Sequence, residues 1–450
     1  MYHYNLYDVT GLTYRIEGRT AAEIAASVEG GIRRGALPAG ARLPPIRQLA
    51  QGLGVSPATV TAAYRTLRGR GWLTGSGRQG TAVRPRPALI GRRPAPVPPG
   101  VRDLASGNPD PRLLPDLAPV LRALPVWPRL YGAPAVLPEL GEHARRQLAA
   151  DGFDASHLTV TSGALDALER VLAAELHPGD RVAVEDPGYT ALLDLLVAMG
   201  LRPEPMALDD EGPLPAALAA ALARGCAACV VTPRAQNPTG AALTPARARA
   251  LRALLDRYPE VLVVEDDHAG AVAGAAAAGL CAGRPPQRWA VARSVAKSLG
   301  PDLRLAVLAG DARTVGRVAD RILLGPEWVS HLLQRAVVRL WADPGTASTL
   351  AHATATYRAR RTGLLRALTR RGIPACGRSG LNVWVPVREE TATVQSLLAR
   401  GWAVRAGETF RLASPPAVRI TIATLRPAEA ERLTADLAAV LAGTGRTPGA

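Results

Sequence analysis

The sequence predicts an α/β chain preceded by a small, basic, helical unit, and three observations carry that expectation. Short apolar strands alternate with long Ala/Leu-rich helical patterns from about residue 101 to about residue 443, the arrangement of an α/β layer structure. A Pro-rich, basic stretch without periodicity, "VRPRPALIGRRPAPVPPG" (Val83 to Gly100), precedes that region and reads as an extended, semi-stiff linker. Charge divides at the same place. Residues 1–100 hold 14 arginines against four acids, whereas the whole 450-residue chain has 54 basic and 38 acidic side chains. The organisation expected is a first unit 1–82, a linker 83–100, a large unit 101–443 and a tail 444–450.

In the first unit, Ile46, Leu49, Ala50 and Leu53 share one face of a helical stretch that stops at Gly54. Ser56 as N-cap and Pro57 at the first helical position then open a second helix, with Val60, Tyr64 and Leu67 inward. Two short helices across a Gly-containing turn make a helix-turn-helix. Ser56, Thr59 and Thr61 then lie at the N-terminus of the second helix, where they face a major groove, and Arg47, Arg65 and Arg68 are placed for phosphates. "GWLTGSGRQGTAV" follows as two short strands around a Gly-rich tip, a wing with Arg78 at its end. With the charge excess, these parts point to double-stranded DNA as a partner.

No apolar run approaches the roughly 20 residues of a membrane span. "MYHYNLYDV" also lacks the basic start and apolar core of a signal peptide, so a cytoplasmic protein without a membrane partner is expected. Cys226 and Cys229 sit in the apolar run "CAACVV" with no second pair or nearby histidine. They read as small residues of a buried strand, and no metal site is expected.

"LPPIRQLAQGLGVSPATVTAAYRTLRGRGWL" resembles the winged-helix domain of GntR-type bacterial regulators, over about residues 20 to 82. That family usually has arginine where this chain has Pro57.

Lys297, in "VARSVAKSLGPDLRLAV", is the single lysine among the 54 basic residues; the other 53 are arginine. A desolvated lysine amine condenses with an aldehyde to a Schiff base, which a permanently protonated guanidinium does not do. Around it, Ser294 and Arg304 supply a hydroxyl and a cation for a phosphate. "LTVTSGALDALERVLAAEL" reads as a strand, a Ser162-Gly163-Ala164 turn and a helix with Leu165, Leu168, Leu172 and Leu176 on one face. The helix start there makes a phosphate cradle. "VLVVEDDHAG" reads as a buried strand that delivers Asp266 to the ligand crevice of an open α/β sheet, where a carboxylate can hold the protonated ring nitrogen of a pyridoxal cofactor. Tyr189 of "EDPGYT" can stack on such a ring, and Asn237 of "RAQNPTG" can bond its hydroxyl.

The order SGA, DPGY, NPTG, EDD, then S-x-x-K with a following arginine resembles fold type I pyridoxal 5′-phosphate aminotransferases of the aspartate aminotransferase kind, from about Val101 to Leu441. The resemblance implies a mostly parallel sheet with flanking helices (about 131–309) plus a smaller α/β part (about 101–130 and 310–443). It makes Lys297 the Schiff-base lysine and pairs Asp266 with the pyridine nitrogen. Asn237 and His268 approach the ring hydroxyl, Tyr189 stacks, and Ser162, Gly163, Ala164, Ser294 and Arg304 take the phosphate. Arg419 matches the arginine that binds an amino acid α-carboxylate, and Tyr131 a tyrosine that reaches the phosphate of the partner subunit. Departures are His268 for the usual tyrosine, and Val136 and Gly141 for a usual glycine and arginine.

A GntR-type winged helix, a linker and an aminotransferase-like unit in one chain together resemble the MocR regulators. That resemblance implies a homodimer that binds pyridoxal phosphate and DNA, and that controls vitamin B6 or amino-acid and amine metabolism genes. The effector is either pyridoxal phosphate itself or a small amino compound. The competing expectation is a working aminotransferase with an appended winged helix.

Overall fold

Thr20 and Glu23 begin the fold by reciprocal capping, the Thr20 hydroxyl accepting from Glu23 N–H at 3.2 Å and the Glu23 carboxylate from Thr20 N–H at 3.3 Å. The computed structural model describes residues 14–69, 72–75, 80–84, 96–125 and 129–443. Contacts divide the chain into two units: Met1–Gly91 with the short segments Leu176–Asp180 and Leu196–Arg202, and the remainder.

In the first unit, helix α1 (Ala21–Arg33) precedes the two expected helices, α2 (Ile46–Leu53) and α3 (Pro57–Gly69). Gly54 closes α2 at φ +66°, a left-handed conformation that favours glycine. Ile24, Val28, Leu49, Val60, Tyr64 and Leu67 form the core, and the Tyr64 hydroxyl donates to Pro44 O at 2.9 Å. The wing is strand β1 (Leu73–Thr74) paired antiparallel with β2 (Ala82–Val83). Val83, expected as the first linker residue, is instead the buried end of β2, because its side chain completes this core. Arg78 lies outside the described residues, as do residues 85–95 of the expected linker.

The second unit begins with β3 (Arg102–Asp103). Then follow β4 (Leu158–Thr161), β5 (Arg181–Asp186), β6 (Arg202–Asp209), β7 (Gly212–Pro213) and β8 (Cys226–Val231). The chain continues through β9 (Leu262–Asp267), β10 (Trp289–Ser294) and β11 (Ala306–Gly310). These last eight form one sheet in the order β4-β11-β10-β9-β8-β5-β6-β7. Its centre is parallel (β5 with β8, β8 with β9, β9 with β10), and β11 runs antiparallel to both neighbours. Parallel strands are covered on both faces and read as continuous apolar runs. Every residue of β9 and β10 is accordingly buried, and Cys226 and Cys229 are buried free thiols of β8.

Helix Ala164–Glu175 buries Leu168, Val171 and Leu172; Leu165 is only half-buried, and Leu176 lies one residue past the helix end. The core of the large part continues through Val329, Ala336, Val337 and Leu340, on and beside helix His331–Ala342, rather than ending near residue 309. It also takes in Leu124.

The smaller part contains β12 (Asn382–Pro386), β13 (Trp402–Ala403), β14 (Arg405–Ala406) and β15 (Ala417–Thr421). Strands β12, β15 and β14 form one antiparallel sheet with β15 in the middle, and β13 pairs parallel with β3. Val383, Val385, Val418 and Ile420 face a core shared with Leu104, Tyr357, Trp402 and Leu433. The opposite face of the sheet is therefore left for Trp384, Arg419 and Arg405. Among the described residues no helix is long and apolar enough to cross a membrane.

Candidate functional site

Strand β9 ends in three acids, and the alternation of side chains sends them to different surroundings. Asp267 accepts from Arg234 at 2.9 and 2.8 Å and from Arg293 at 2.8 Å. Burial works to raise its carboxyl, but these two guanidinium groups prevail and hold it at about 2. Asp266 has no such partners. Its Oδ1 is buried without a hydrogen bond among the described residues. Burial first, then the neighbouring charges of Asp267 and Glu185, push it up to about 7. A buried carboxylate oxygen left without a donor marks a place where a cation or an N–H is expected.

Strand β10 lies beside β9 in parallel register, Asp266 opposite Ala292, so the chain leaving β10 enters the same crevice. The Ser294 hydroxyl accepts from Ala296 N–H at 3.1 Å and shapes the turn that presents Lys297. The Lys297 amine donates to Gly107 O at 2.8 Å. Burial, and then the charge of Arg419, push it down to about 8, so an appreciable fraction is unprotonated near neutral pH. His268 Nε2 is 2.9 Å from Ala235 O, which can only accept, so Nε2 carries the proton. Burial and then Lys297 push this imidazole down to about 4, which keeps it neutral.

Arg419 joins this group from the smaller part. One guanidinium nitrogen donates to Asn237 Oδ1 at 2.9 Å and the other to Ala105 O, while the group lies 4.9 Å over the Phe410 ring. Its Nε is buried without a partner among the described residues. Burial first and Arg405 second push it down to about 10. Tyr189 stands in the field of Asp266, Arg304 and Arg419; burial and then Asp266 raise its phenol.

At the start of helix Ala164–Glu175, Arg304 donates to Ser162 O at 2.9 Å. Gly163 has φ +102°, and a Cβ there would lie 3.1 Å from Arg304 Nη2, so the close approach requires glycine. Arg304 is itself left-handed at φ +41°, a conformation that a non-glycine residue holds only under constraint from its surroundings. Ser162 and Arg304 are exposed, and the Ser162 N–H is taken by Asp166 Oδ2 at 2.8 Å.

Contacts, register and charge thus bring Lys297, Asp266, His268, Asn237, Tyr189, Arg419 and Arg304 into one neighbourhood, with Ser162, Gly163, Ala164 and Ser294 at its edge. Tyr131 is not part of it. Its side chain is 84% exposed and meets Trp328 edge-on at 5.8 Å. In the first unit Ser56 caps α3 by accepting from Thr59 N–H at 3.2 Å, and the Thr61 hydroxyl donates back to Pro57 O at 2.8 Å. Arg47 and Arg65 are exposed, and Arg68 donates to Gly75 O at 3.1 Å.

Sequence reasoning missed the loop Ala105–Gly107, whose two carbonyls hold Arg419 and Lys297. The available signal was Gly107 in "ASGNPDP": at φ +71°, any Cβ would sit 3.2 Å from Arg419 Nη2. Also missed was Glu185, which burial pushes up to about 7 despite bonds from Thr232 N–H and Gln236.

Residues 126–437 match the family "Aminotransferase class I and II", and residues 20–83 match "Bacterial regulatory proteins, gntR family". The chain is 41% identical over 424 residues to the vitamin B6 salvage pathway transcriptional repressor PtsJ of Salmonella typhimurium, covering 94% of this chain and 98% of that one. It is 31% identical over 249 residues to the HTH-type pyridoxine biosynthesis transcriptional regulator PdxR of Corynebacterium glutamicum, 52% of this chain and 53% of the other. Among solved structures, an archaeal alanine:glyoxylate aminotransferase superposes with a TM-score of 0.70 at 22% identity, covering 76% of this chain and 91% of its own.

Proposed function

This chain belongs to the MocR-type regulators, in which a GntR-family winged helix is joined to an aminotransferase class I and II domain, and from that premise we propose that it is a DNA-binding repressor whose hold on its operator is set by pyridoxal 5′-phosphate carried on Lys297. The observation that carries this reading is a reactive amine and an unpartnered buried carboxylate in one crevice: Lys297 at about 8 and Asp266 with a bare Oδ1.

The donor set fits the cofactor. When bound, pyridoxal 5′-phosphate supplies an aldehyde carbon to Lys297 and a protonated ring nitrogen to Asp266. Burial and the charge of Arg419 push Lys297 down to about 8, so part of the amine is unprotonated and nucleophilic near neutral pH. Asn237 gives its Oδ1 to Arg419, which leaves its amide N–H to donate to the ring hydroxyl. Neutral His268 holds its place through Ala235 O and adds no second cation beside the lysine. Tyr189 covers the ring. Gly163 with Arg304 and the Ser162–Ala164 turn receives the phosphate, and Tyr131, exposed on this chain, reaches the phosphate site of a second copy.

Regulation follows from where the linker enters. From Gly100 the chain forms β3, and Asp103 then folds the next turn by accepting from Ala105 N–H at 2.8 Å and Ser106 N–H at 3.0 Å. Gly107 O, next in the chain, accepts from the Lys297 amine. A lysine committed to the cofactor would no longer hold Gly107 O, so occupation of the site would loosen the Ala105–Gly107 turn, which β3 joins to the linker. In a homodimer the linkers set the spacing of two winged helices, and that spacing must match the half-sites of double-stranded DNA. By its relation to a vitamin B6 salvage repressor, the chain controls salvage genes of this vitamin. Salvage is needed when the cofactor is scarce, so the loaded protein binds its operator more tightly.

Borohydride reduction of the chain saturated with pyridoxal phosphate, followed by peptide mass mapping, tests the assignment. The label is expected on Lys297. Label elsewhere, or none at saturation, overturns it.

A further inference from the structure

Strands β14 and β15 pair so that Arg405 stands directly opposite Arg419. Opposed residues of an antiparallel pair point to the same face, and like charges in that relation are destabilising. An acid paired with one of them would offset this. Arg405 is half-buried, and among the described residues no carboxylate forms an ion pair with either arginine. The partners of Arg419 are an amide oxygen, a backbone carbonyl and a ring face, all neutral, and its Nε is buried with no partner. Asp103 is the acid whose charge bears on Arg419, but its effect is smaller than that of Arg405 and it forms no ion pair with either arginine. Lys297 adds a third cation close enough for Arg419 to depress it.

We propose that Arg405 is a specificity-determining residue, and that the loaded site receives an amine carrying two anionic groups, an α-carboxylate on Arg419 and a second carboxylate or phosphate on Arg405. The inference rests on the reading that pyridoxal phosphate is carried on Lys297, and it goes beyond that reading by naming the class of ligand received beside it. A single α-carboxylate neutralises one of two facing guanidinium groups; a dianion neutralises both. Trp384 and Phe410, packed edge to face at 6.1 Å, lie on the same side of the sheet as the two arginines.

The experiment uses the full chain loaded with pyridoxal phosphate and follows its visible absorbance during titration with L-aspartate, L-glutamate, O-phospho-L-serine and L-alanine. The wild-type chain is expected to bind at least one of the three dianionic compounds about 10- to 100-fold more tightly than L-alanine, the range of a charge-assisted hydrogen-bonded pair. Arg405→Gln should abolish that preference, and Arg405→Lys should restore part of it, which a merely structural role would not produce. The aspartate and phosphoserine arms show whether the second anion is a carboxylate or a phosphate. Equal affinity for alanine and all three dianions, or an undiminished preference in Arg405→Gln, overturns the proposal. Borohydride labelling of the same samples keeps the two readings apart: no label on wild-type chain overturns both, while label without preference overturns this one alone.

Discussion

Replacing Asp266 by asparagine should make the cofactor-free chain more stable while weakening its hold on pyridoxal phosphate. Raising a carboxyl from 3.8 to about 7 places about 4 kcal/mol on the ionised form once pH exceeds both values. The folded chain binds that proton more tightly than the unfolded chain. Stability therefore falls as pH rises from about 4 to about 7, stays reduced above that window, and is restored below it. An asparagine amide in the same buried place still lacks partners, at about 2 kcal/mol, so the net gain at pH 8 is about 2 kcal/mol. Glu185 and Glu265, also pushed up to about 7 by burial, are common to both proteins and largely cancel in the comparison. Denaturant unfolding of Asp266→Asn and wild type, without cofactor, at pH 4.5 and pH 8 measures it, and the gain should be confined to the higher pH. With saturating cofactor the order should reverse, because the wild-type carboxylate then meets a cationic ring nitrogen. A variant that is less stable than wild type at pH 8, or equally more stable at both pH values, would refute this account of Asp266.

Three further outcomes follow from the geometry. Gly163→Ala forces a side chain onto a backbone at φ +102° beside Arg304, and should destabilise the chain by about 1–3 kcal/mol and reduce cofactor affinity about tenfold, read by unfolding and by absorbance titration. Arg47→Ala and Arg65→Ala change exposed residues, so folding should move by less than about 0.5 kcal/mol. DNA affinity should fall on all sequences alike, and the slope of log affinity against log salt should drop by about one for each, checked by titrations at several salt concentrations. Tyr64→Phe removes a buried hydroxyl that donates to Pro44 O, and should cost the winged helix about 1 kcal/mol in denaturant unfolding.

The elements that sequence made legible are those written in local chemistry. The helix-turn-helix was readable because Gly54, Ser56 and Pro57 punctuate it at fixed positions. Strand β9 was readable as an apolar run ending in acids, and Lys297 because arginine cannot replace it chemically. Helix α1 had its own signal, the Thr20 and Glu23 capping pair, which the periodic patterns downstream overshadowed. What was not legible depends on residues far apart in the chain. The opposition of Arg405 and Arg419 is a matter of strand register, and two arginines 14 positions apart carry no mark of it. The role of Ala105 and Gly107 is carried by backbone carbonyls, which every residue has. The different fates of Asp266 and Asp267 follow from Arg234 and Arg293, which reach only one of them.

The measurement that bears most directly on the whole account is operator affinity with and without pyridoxal phosphate, made in parallel on the full wild-type chain and on Lys297→Ala, using the promoter region of a vitamin B6 salvage gene. The cofactor should tighten wild-type binding about tenfold or more and leave Lys297→Ala unchanged. Wild-type affinity indifferent to the cofactor, or a Lys297→Ala chain that responds as wild type does, would contradict it.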